Sequence, residues 1–98
     1  MFVVTVTFKV HPGFGEAFLA RVLRQAADSL TLETECHIFD VCANDQEPET
    51  VFLYEVYENE ASFKAHLASS HFRAFDQEVG EWIADKQVRT YQRQGIAG

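Results

Sequence analysis

The alternation of apolar and polar residues predicts an α+β domain with an antiparallel sheet and helices on one of its faces. Three observations lead to this fold class. The hydrophobic period is two in some segments and near 3.6 in others, and these segments follow one another in the order β-α-β-β-α-β. A polar segment at residues 44–49 separates two apolar runs, as in a hairpin. The chain has 98 residues, of which 47% are apolar and 13% aromatic, so we expect one domain over residues 1–98.

The first strand and the first helix are marked by a change of period. Alternating apolar residues from Phe2 to Val10 predict a strand with one strongly apolar face, which Pro12 and Gly13 end. From Phe14 to about Leu32 the period becomes helical. The apolar stripe of this helix, which we expect to face the core, consists of Phe14, Phe18, Leu19, Val22, Leu23, Ala26 and Leu30. The other side of the helix carries Arg21, Arg24, Gln25 and Asp28.

Two strands follow, at residues 36–43 and 51–57, and each is apolar on both faces. The two faces of the first are formed by Cys36, Ile38 and Cys42 and by Phe39, Val41 and Ala43; those of the second are formed by Val51, Leu53 and Tyr57 and by Phe52, Tyr54 and Val56. Strands with this pattern are buried on both sides. Because the helices cover only one face of the sheet, we expect a second copy of the chain to cover the other, in a symmetric homodimer whose sheets face each other.

The second helical region is predicted as two helices. Asn59 can cap a short helix that ends near Leu67, and Ser69 or Ser70 can cap the next one. A last strand is predicted at residues 88–93, and residues 94–98 are expected to form a frayed tail. This order of elements is that of the ferredoxin-like fold.

Charge and composition exclude several classes of function. The net charge of −7 argues against partners such as nucleic acid and anionic membranes. The sequence contains no apolar run of the roughly 18 residues that a membrane span needs. Cys36 and Cys42 are expected on one face of one strand, about 20 Å apart, which is too far for a disulfide. We therefore expect a cytoplasmic protein.

His66 is the candidate catalytic residue. It follows Phe63 by three residues on the short helix, so both side chains are expected at the edge of the space between helix and sheet. A histidine there can act as a general base near neutral pH, or it can be a half-buried side chain that hydrogen-bonds to the backbone. The sequence has no GxGxxG, P-loop, HExxH or CxxC motif, so we expect no cofactor, and either cofactor-free chemistry or the binding of a small molecule.

Three further polar positions leave alternatives open. His71 lies in the first turn of the next helix, where it either favours an anion or is simply solvated. Its spacing of five residues from His66 is not typical of metal ligands, and no third ligand is evident, so we expect no metal site. Asp40 and Glu55 are expected close to opposite each other on adjacent strands, either in an ion pair with Arg89 or as a catalytic dyad.

A set of residues spread over much of the chain carries a resemblance to a known family. It comprises FDV at 39–41, FLYEVY at 52–57, Glu60, Ala61, Phe63, His66, Ser69, His71 and Phe72. This pattern resembles the antibiotic biosynthesis monooxygenase (ABM) family. The resemblance implies a dimeric α/β barrel and the oxidation of phenolic or quinol-like aromatics by dioxygen without metal or flavin. It makes His66 the preferred base, with substrate-binding candidates His71, Tyr54, Tyr57, Phe39 and Trp82, of which the tyrosines and the tryptophan could equally be core aromatics.

Other branches of the family imply other functions. Haem-degrading members carry a haem-ligating histidine that would align with Asp76 and an asparagine that would align with Thr5 or Thr7, so haem degradation is not expected. The isomerase of the phosphorylated autoinducer-2 diketone shares the FDV, YE-x-Y and H-x4-H-[FY] patterns. The third alternative is a non-catalytic member that binds a small hydrophobic molecule or only dimerises.

Overall fold

A computed structural model describes residues 1–96 and contains four strands and three α-helices. The elements are β1 (Phe2–Val10), α1 (Gly15–Leu32), β2 (Cys36–Asn44), β3 (Glu47–Tyr57), α2 (Glu60–Ala68), α3 (Ser70–Val79) and β4 (Ile83–Gln92), with a 3₁₀ turn at Gly80–Trp82. The predicted order of elements is confirmed, including the division of the second helical region at Ser69. Of the predicted tail, residues 97 and 98 lie outside the described residues.

The strands form one antiparallel sheet in the order β2-β3-β1-β4, which confirms the ferredoxin-like fold. The helices pack against the face of the sheet that carries Val4, Val6 and Phe8, and Phe18 of α1 lies 4.9 Å from Phe8 between ring centroids. Burying each such side chain stabilises the fold by about 1.5–3 kcal/mol. The core therefore occupies a single layer between the sheet and the helices.

Two strands begin earlier than the sequence predicted. β3 begins at Glu47 rather than Val51, and β4 begins at Ile83 rather than Val88. In both cases the added residues pair through the backbone, as Lys86 does with Phe8 of β1. Backbone pairing is indifferent to side-chain polarity, so a polar stretch can extend a strand that hydrophobic alternation misses.

The buried side of α1 differs from the predicted apolar stripe. Gln25 and Ser29 are almost fully buried, whereas Leu23 and Leu30 are about half exposed. The predicted polar side thus partly faces inward, because α3 packs against it: Arg21 Nε donates to Glu78 Oε1 of α3 at 2.7 Å. Ser29 Oγ donates a hydrogen bond to the Gln25 carbonyl oxygen one helical turn earlier, so the buried hydroxyl is satisfied within α1.

A bulge near the start of β2 changes which of its residues share a face. The register shifts between Cys36 and Ile38, so that Cys36 lies opposite Tyr57 and Phe39 lies opposite Glu55. The prediction that the two cysteines share a face is therefore wrong, since Cys36 is buried under the helices and Cys42 is on the other face.

The same register separates the two strand acids. Asp40 pairs with Tyr54 on the open face of the sheet, whereas Glu55 faces the helices. Arg89 pairs with Thr5, which also belongs to the open face. The expectation that Asp40 and Glu55 lie opposite each other is wrong, so they form no dyad, and no salt bridge of the described residues joins either acid to Arg89.

The open face carries the remaining apolar residues of β3. Phe52 is 38% exposed there, and Tyr54 is half-buried. The predicted homodimer would cover this face, and it stays a prediction. Among the described residues, no helix is long and apolar enough to cross a membrane.

Gly15 begins α1 where the β2–β3 hairpin comes close. A Cβ at this position would lie 2.5 Å from the carbonyl oxygen of Pro48, which is closer than the van der Waals radii of the two atoms allow. Glycine therefore permits the hairpin and the helix to touch.

Candidate functional site

The junction of α2 and α3 brings two histidines together. Asn59 caps α2 by accepting a hydrogen bond from the Ser62 amide at 2.9 Å, and Ser69 Oγ caps α3 by accepting from the Phe72 amide at 3.2 Å. Both caps were predicted. Because a single residue separates the helices, His66 in the last turn of α2 lies beside His71 in the first turn of α3, with ring centroids 5.9 Å apart.

Glu33 links the two histidines, a role that no sequence pattern indicated. The residue caps the C-terminus of α1, and its Oε2 lies 2.8 Å from His66 Nδ1 and 2.7 Å from His71 Nε2. A carboxylate that accepts from Nδ1 fixes the proton on that nitrogen and leaves Nε2 as the free acceptor of the ring. The only available signal was an acid directly after a helix, 33 residues from its partner, and that is too common a pattern to be informative.

Gln25 completes the cluster from α1. Its Nε2 lies 3.1 Å from His71 Nδ1, so the amide donates and the imidazole nitrogen accepts. The remaining proton of His71 then resides on Nε2, close to Glu33 but poorly aligned with its oxygen, so this second contact is electrostatic rather than a good hydrogen bond. His71 is thus held from two sides and is not the solvated residue that its position in a first helical turn suggested.

The residue types in this cluster could also hold a metal ion. One donor atom each from Glu33, His66 and His71 lies within 4.8 Å of the others, so the third ligand that the sequence did not show is present. However, the 2.8 Å between His66 Nδ1 and Glu33 Oε2 is the length of a charge-assisted hydrogen bond, and the 2.7 Å between His71 Nε2 and the same oxygen is a close electrostatic contact. Protons alone therefore account for the geometry of this cluster.

His66 is held in the form that a general base requires. The ring is 2% exposed, and this burial lowers its pKa; the hydrogen bond and charge of Glu33 oppose the shift, while His71 adds to it. With the pKa below its ordinary value, the imidazole is neutral at pH 7. Because Nδ1 is occupied by Glu33, the lone pair of Nε2 is the one available for proton transfer.

His66 lines a small internal cavity of about 40 Å³ between the helices and the sheet. Val6, Leu53 and Glu55 line the sheet side of this cavity, and Gln25, His66 and Phe72 line the helix side. Leu67 and Val88 also border it and are 41% and 47% exposed, so they mark its opening to solvent. We call this space the His66 cavity.

A cation lies at the same opening. Lys86 borders the His66 cavity, and its Nζ lies 5.5 Å from the ring centre of Phe8 and 5.9 Å from that of Phe72. These are cation–π distances, and they hold the ammonium group over an apolar surface.

Glu55 and Tyr57 form a second buried polar pair. The Tyr57 hydroxyl donates to Glu55 Oε1 at 2.6 Å, and both side chains are almost fully buried. Burial raises the pKa of Glu55 to about 7, against the hydrogen bond from Tyr57 and the charge of Lys86. Burial and the neighbouring Glu55 carboxylate also raise the pKa of Tyr57, so its hydroxyl keeps its proton.

The structure brings some of the predicted site residues together and separates others. Phe39 and Tyr57 contact His66, with ring centroids 6.0 and 5.3 Å away. His71 joins them through Glu33. By contrast, Tyr54 lies on the open face of the sheet, because β3 alternates, and Trp82 stacks on Phe14 at the start of α1. Neither Tyr54 nor Trp82 borders the His66 cavity within this chain.

A larger groove of about 440 Å³ runs between the start of α1 and the β2–β3 turn. It is bordered by carboxylates such as Glu16, Asp45 and Glu47, all exposed or half-exposed, and it holds no imidazole or aromatic ring. The reactive side chains of the described residues therefore point to the smaller His66 cavity as the candidate site.

Comparison with known proteins agrees with the fold. The family model for antibiotic biosynthesis monooxygenase (ABM) matches residues 1–78, which include Glu33, His66 and His71. A solved structure from Nitrosomonas europaea, described as a "putative antibiotic biosynthesis monooxygenase", is 24% identical to this chain. Its TM-score is 0.91, and the match covers 97% of this chain and 100% of that chain. A solved structure from Deinococcus radiodurans is 14% identical, with a TM-score of 0.90, and the match covers 100% of this chain and 97% of that chain. At these identities the likeness shows the fold alone. No curated protein matches the chain.

Proposed function

This chain belongs to the antibiotic biosynthesis monooxygenase family, and we propose that it is a cofactor-independent monooxygenase of small quinol-like or polyketide-like aromatic substrates. The observation that carries the proposal is the Glu33–His66 hydrogen bond, which leaves the neutral His66 Nε2 available at the edge of an apolar cavity. A carboxylate that orients an imidazole in this way is the arrangement that general-base catalysis uses.

In this proposal His66 removes a proton from the substrate. The resulting electron-rich anion reduces dioxygen directly, so the reaction needs no metal or flavin. The Glu33 carboxylate holds the Nδ1 proton and stabilises the imidazolium that forms, as the acid of a catalytic triad does. Phe39 and Phe72 keep water away from the anion, and their rings lie 6.0 and 5.1 Å from that of His66.

The size of the His66 cavity limits how a substrate enters. About 40 Å³ is enough for one water-sized molecule, whereas an apolar cavity that binds benzene is about 150 Å³. An aromatic ring can therefore reach His66 only if the side chains at the opening, Leu67 and Val88, move aside. Both are partly exposed, so their displacement disturbs little of the packed core.

We further propose that the active form is a homodimer in the cytoplasm. The open sheet face, with Phe52 exposed, would be covered by the same face of a second copy. A chain of 98 residues buries a modest share of its surface alone, so dimerisation would add stability. Sedimentation should give a dimer at micromolar concentration, and Phe52→Glu should give a monomer; a stable wild-type monomer would contradict the dimer. The two free cysteines fit a reducing compartment.

Lys86 favours a second candidate function. Its ammonium group at the cavity opening could bind a phosphate, which supports an isomerase of a phosphorylated hydroxydiketone. Such an enzyme would also need His66 as a base. It would consume no dioxygen, and Lys86→Met would weaken its substrate binding strongly, whereas a neutral quinol would bind the variant almost as well as the wild type.

Oxygen uptake with a panel of small quinols and anthrones tests the proposal. His66→Ala should reduce the rate by about 100-fold or more, the usual contribution of a general base. His11→Ala is the matched control, since His11 is an exposed histidine at the end of β1, and it should keep the wild-type rate. Uptake that survives in His66→Ala would remove His66 from the mechanism. A wild-type protein that consumes no dioxygen but is stabilised thermally by the same compounds would be a binding module.

A further inference from the structure

A carboxyl group lies on the sheet wall of the His66 cavity, across from the imidazole on the helix wall. Glu55 is 3% exposed and borders the same space as His66. β3 places it there because residues 53, 55 and 57 share the face of the sheet under the helices. The chain therefore brings two ionisable groups from opposite walls to one cavity of about 40 Å³.

Glu55 is incompletely satisfied by its protein neighbours. Tyr57 donates to its Oε1, and among the hydrogen bonds of residues 1–96 there is none to Oε2. A buried carboxylate normally accepts several hydrogen bonds or pairs with a cation. A neutral carboxylic acid needs fewer, and its own O–H becomes a donor.

The charges around Glu55 do not compensate its burial. Lys86 of β4 favours the ionised form, but it lies at the solvent opening, and Glu33 at the end of α1 opposes it. Tyr57 on the same strand donates a hydrogen bond, and His66 of α2 is neutral. Burial is the largest influence on Glu55 and raises its pKa to about 7. At pH 7 one cavity thus holds a neutral base and a carboxyl group that still carries its proton in about half of the molecules, which is the pairing that acid–base catalysis requires.

We propose that Glu55 is a second catalytic residue, which donates a proton to the peroxide intermediate so that its outer oxygen leaves as water. This proposal rests on the proposed function. The reacting carbon of the substrate is taken as a ring CH₂ or its tautomer. His66 removes the first proton, the carbanion transfers electrons to dioxygen, and a C–O bond forms to give a peroxide anion. Glu55 then protonates the outer peroxide oxygen.

The remaining step restores both residues. The Glu55 carboxylate removes the second proton from the same carbon as the O–O bond breaks, and the C=O bond forms. The hydroxide that is released takes the proton held by His66 and leaves as water. The sum is CH₂ plus O₂ giving C=O plus H₂O, with His66 neutral and Glu55 protonated again.

Glu55→Gln tests this role, because the amide has the shape of the neutral acid and can still accept from Tyr57, yet it cannot give up a proton. Dioxygen uptake should fall, because the peroxide step is impaired, but it should remain measurable, because His66 still removes the first proton. The ratio of substrate hydroperoxide to ketone product should rise at least tenfold, because the peroxide anion then takes its proton from solvent and keeps its O–O bond. Glu81→Gln, a change at an exposed glutamate, should leave that ratio unchanged. A purely structural role of Glu55 would change the rate or the stability but not the ratio.

Two further measurements separate the possible failures. In the wild type, the ketone yield should fall above about pH 7 as Glu55 ionises. In Tyr57→Phe this fall in yield should occur at a higher pH, because the substitution removes a hydrogen bond that favours the carboxylate. ¹³C NMR of the side-chain carboxyl, assigned with Glu55→Gln, reports on Glu55 without any turnover. Titration near its ordinary 4.5, or an unchanged product ratio in Glu55→Gln, overturns the acid role even if His66 proves to be the base. A wild type that consumes no dioxygen overturns the proposed function and the peroxide step together.

Discussion

The buried carboxyl of Glu55 should make the stability of the fold depend on pH in a direction opposite to that of most acids. Its pKa is about 7 in the folded protein and 4.5 in the absence of burial. The folded state therefore binds this proton more tightly than the unfolded state. Its contribution to the free energy of unfolding is fully present below pH 4.5 and is lost as the pH rises through 7. Glu55→Gln removes the ionisation while keeping the shape of the neutral acid.

The size of the effect follows from the two pKa values. At 1.36 kcal/mol per pKa unit, the interval from 4.5 to about 7 corresponds to about 3 kcal/mol. The side chain is 3% exposed, so solvent screening does not reduce this figure much. Glu55→Gln should therefore be more stable than the wild type by about 3 kcal/mol at pH 8 and by less than about 1 kcal/mol at pH 5.

Urea unfolding at several pH values between 5 and 8, at one fixed protein concentration, measures this difference. His66 acts in the opposite direction: its lowered pKa costs stability as the pH falls. That contribution is present in both proteins and cancels in the difference. Glu81→Gln, a change at an exposed glutamate, is the matched control and should alter the stability by less than about 0.5 kcal/mol. If Glu55→Gln is less stable than the wild type at pH 8, then the fold stabilises the ionised carboxylate, with Lys86 as the natural counterion, and the reasoning is refuted.

Three other changes test the packing of the fold. Gly15→Ala should lower the free energy of unfolding by more than about 1 kcal/mol, because the added Cβ meets a backbone oxygen at 2.5 Å. Gly80→Ala places its Cβ in open space and should be neutral or stabilising by up to about 1 kcal/mol. Equal urea midpoints for the two variants would contradict this. Ser69→Ala should lower stability by about 1 kcal/mol through the lost cap of α3, measured in the same way. Cys36 is buried, which raises its pKa to about 12, so iodoacetamide at pH 8 should modify it only after unfolding; alkylation of the native protein, seen by mass spectrometry, would show the opposite.

The order of elements and the helix caps could be predicted because they depend on local sequence. Periods of two and 3.6 identify strands and helices wherever only one side is buried, as in β1. Asn59 and Ser69 could be identified as caps because a short polar side chain before an apolar periodic run satisfies the free amides of the first helical turn. The division between α2 and α3 was predicted from these two residues, whereas the contact between His66 and His71 that results from it was not.

The faces of β2 could not be predicted, because alternation is uninformative in a strand that is apolar on both sides. A bulge at residues 36–38 lets Cys36 and Phe39 share a face, and nothing in the sequence marks it. One residue of register decides whether Glu55 lies opposite Asp40 or Phe39. The observed register places Phe39 opposite Glu55. Glu55 itself faces the helices through its pairing with Val4 of β1, and its burial there is the largest cause of its raised pKa.

The partners of the two histidines could not be predicted, because they come from another helix. Gln25 of α1 contacts His71, and Glu33, the C-cap of α1, contacts His66; only the packing of α1 beside α3 brings them together. Helical periodicity assigned Gln25 to the solvent side, since polar residues usually lie there. A pattern of polarity cannot tell a solvated residue from one that is buried to support a site.

The burial of Gln25 has a cost that packing alone does not explain. It is 1% exposed, and its Oε1 has no hydrogen-bond partner within residues 1–96, which costs about 1–3 kcal/mol. Leucines of the same helix, Leu23 and Leu30, meanwhile remain half exposed. A helix selected for stability alone would bury the leucines and expose the glutamine. The arrangement makes sense if α1 is turned to present Gln25 to His71 and Glu33 to His66, because a site that fixes imidazole orientation needs such support even where it lowers stability.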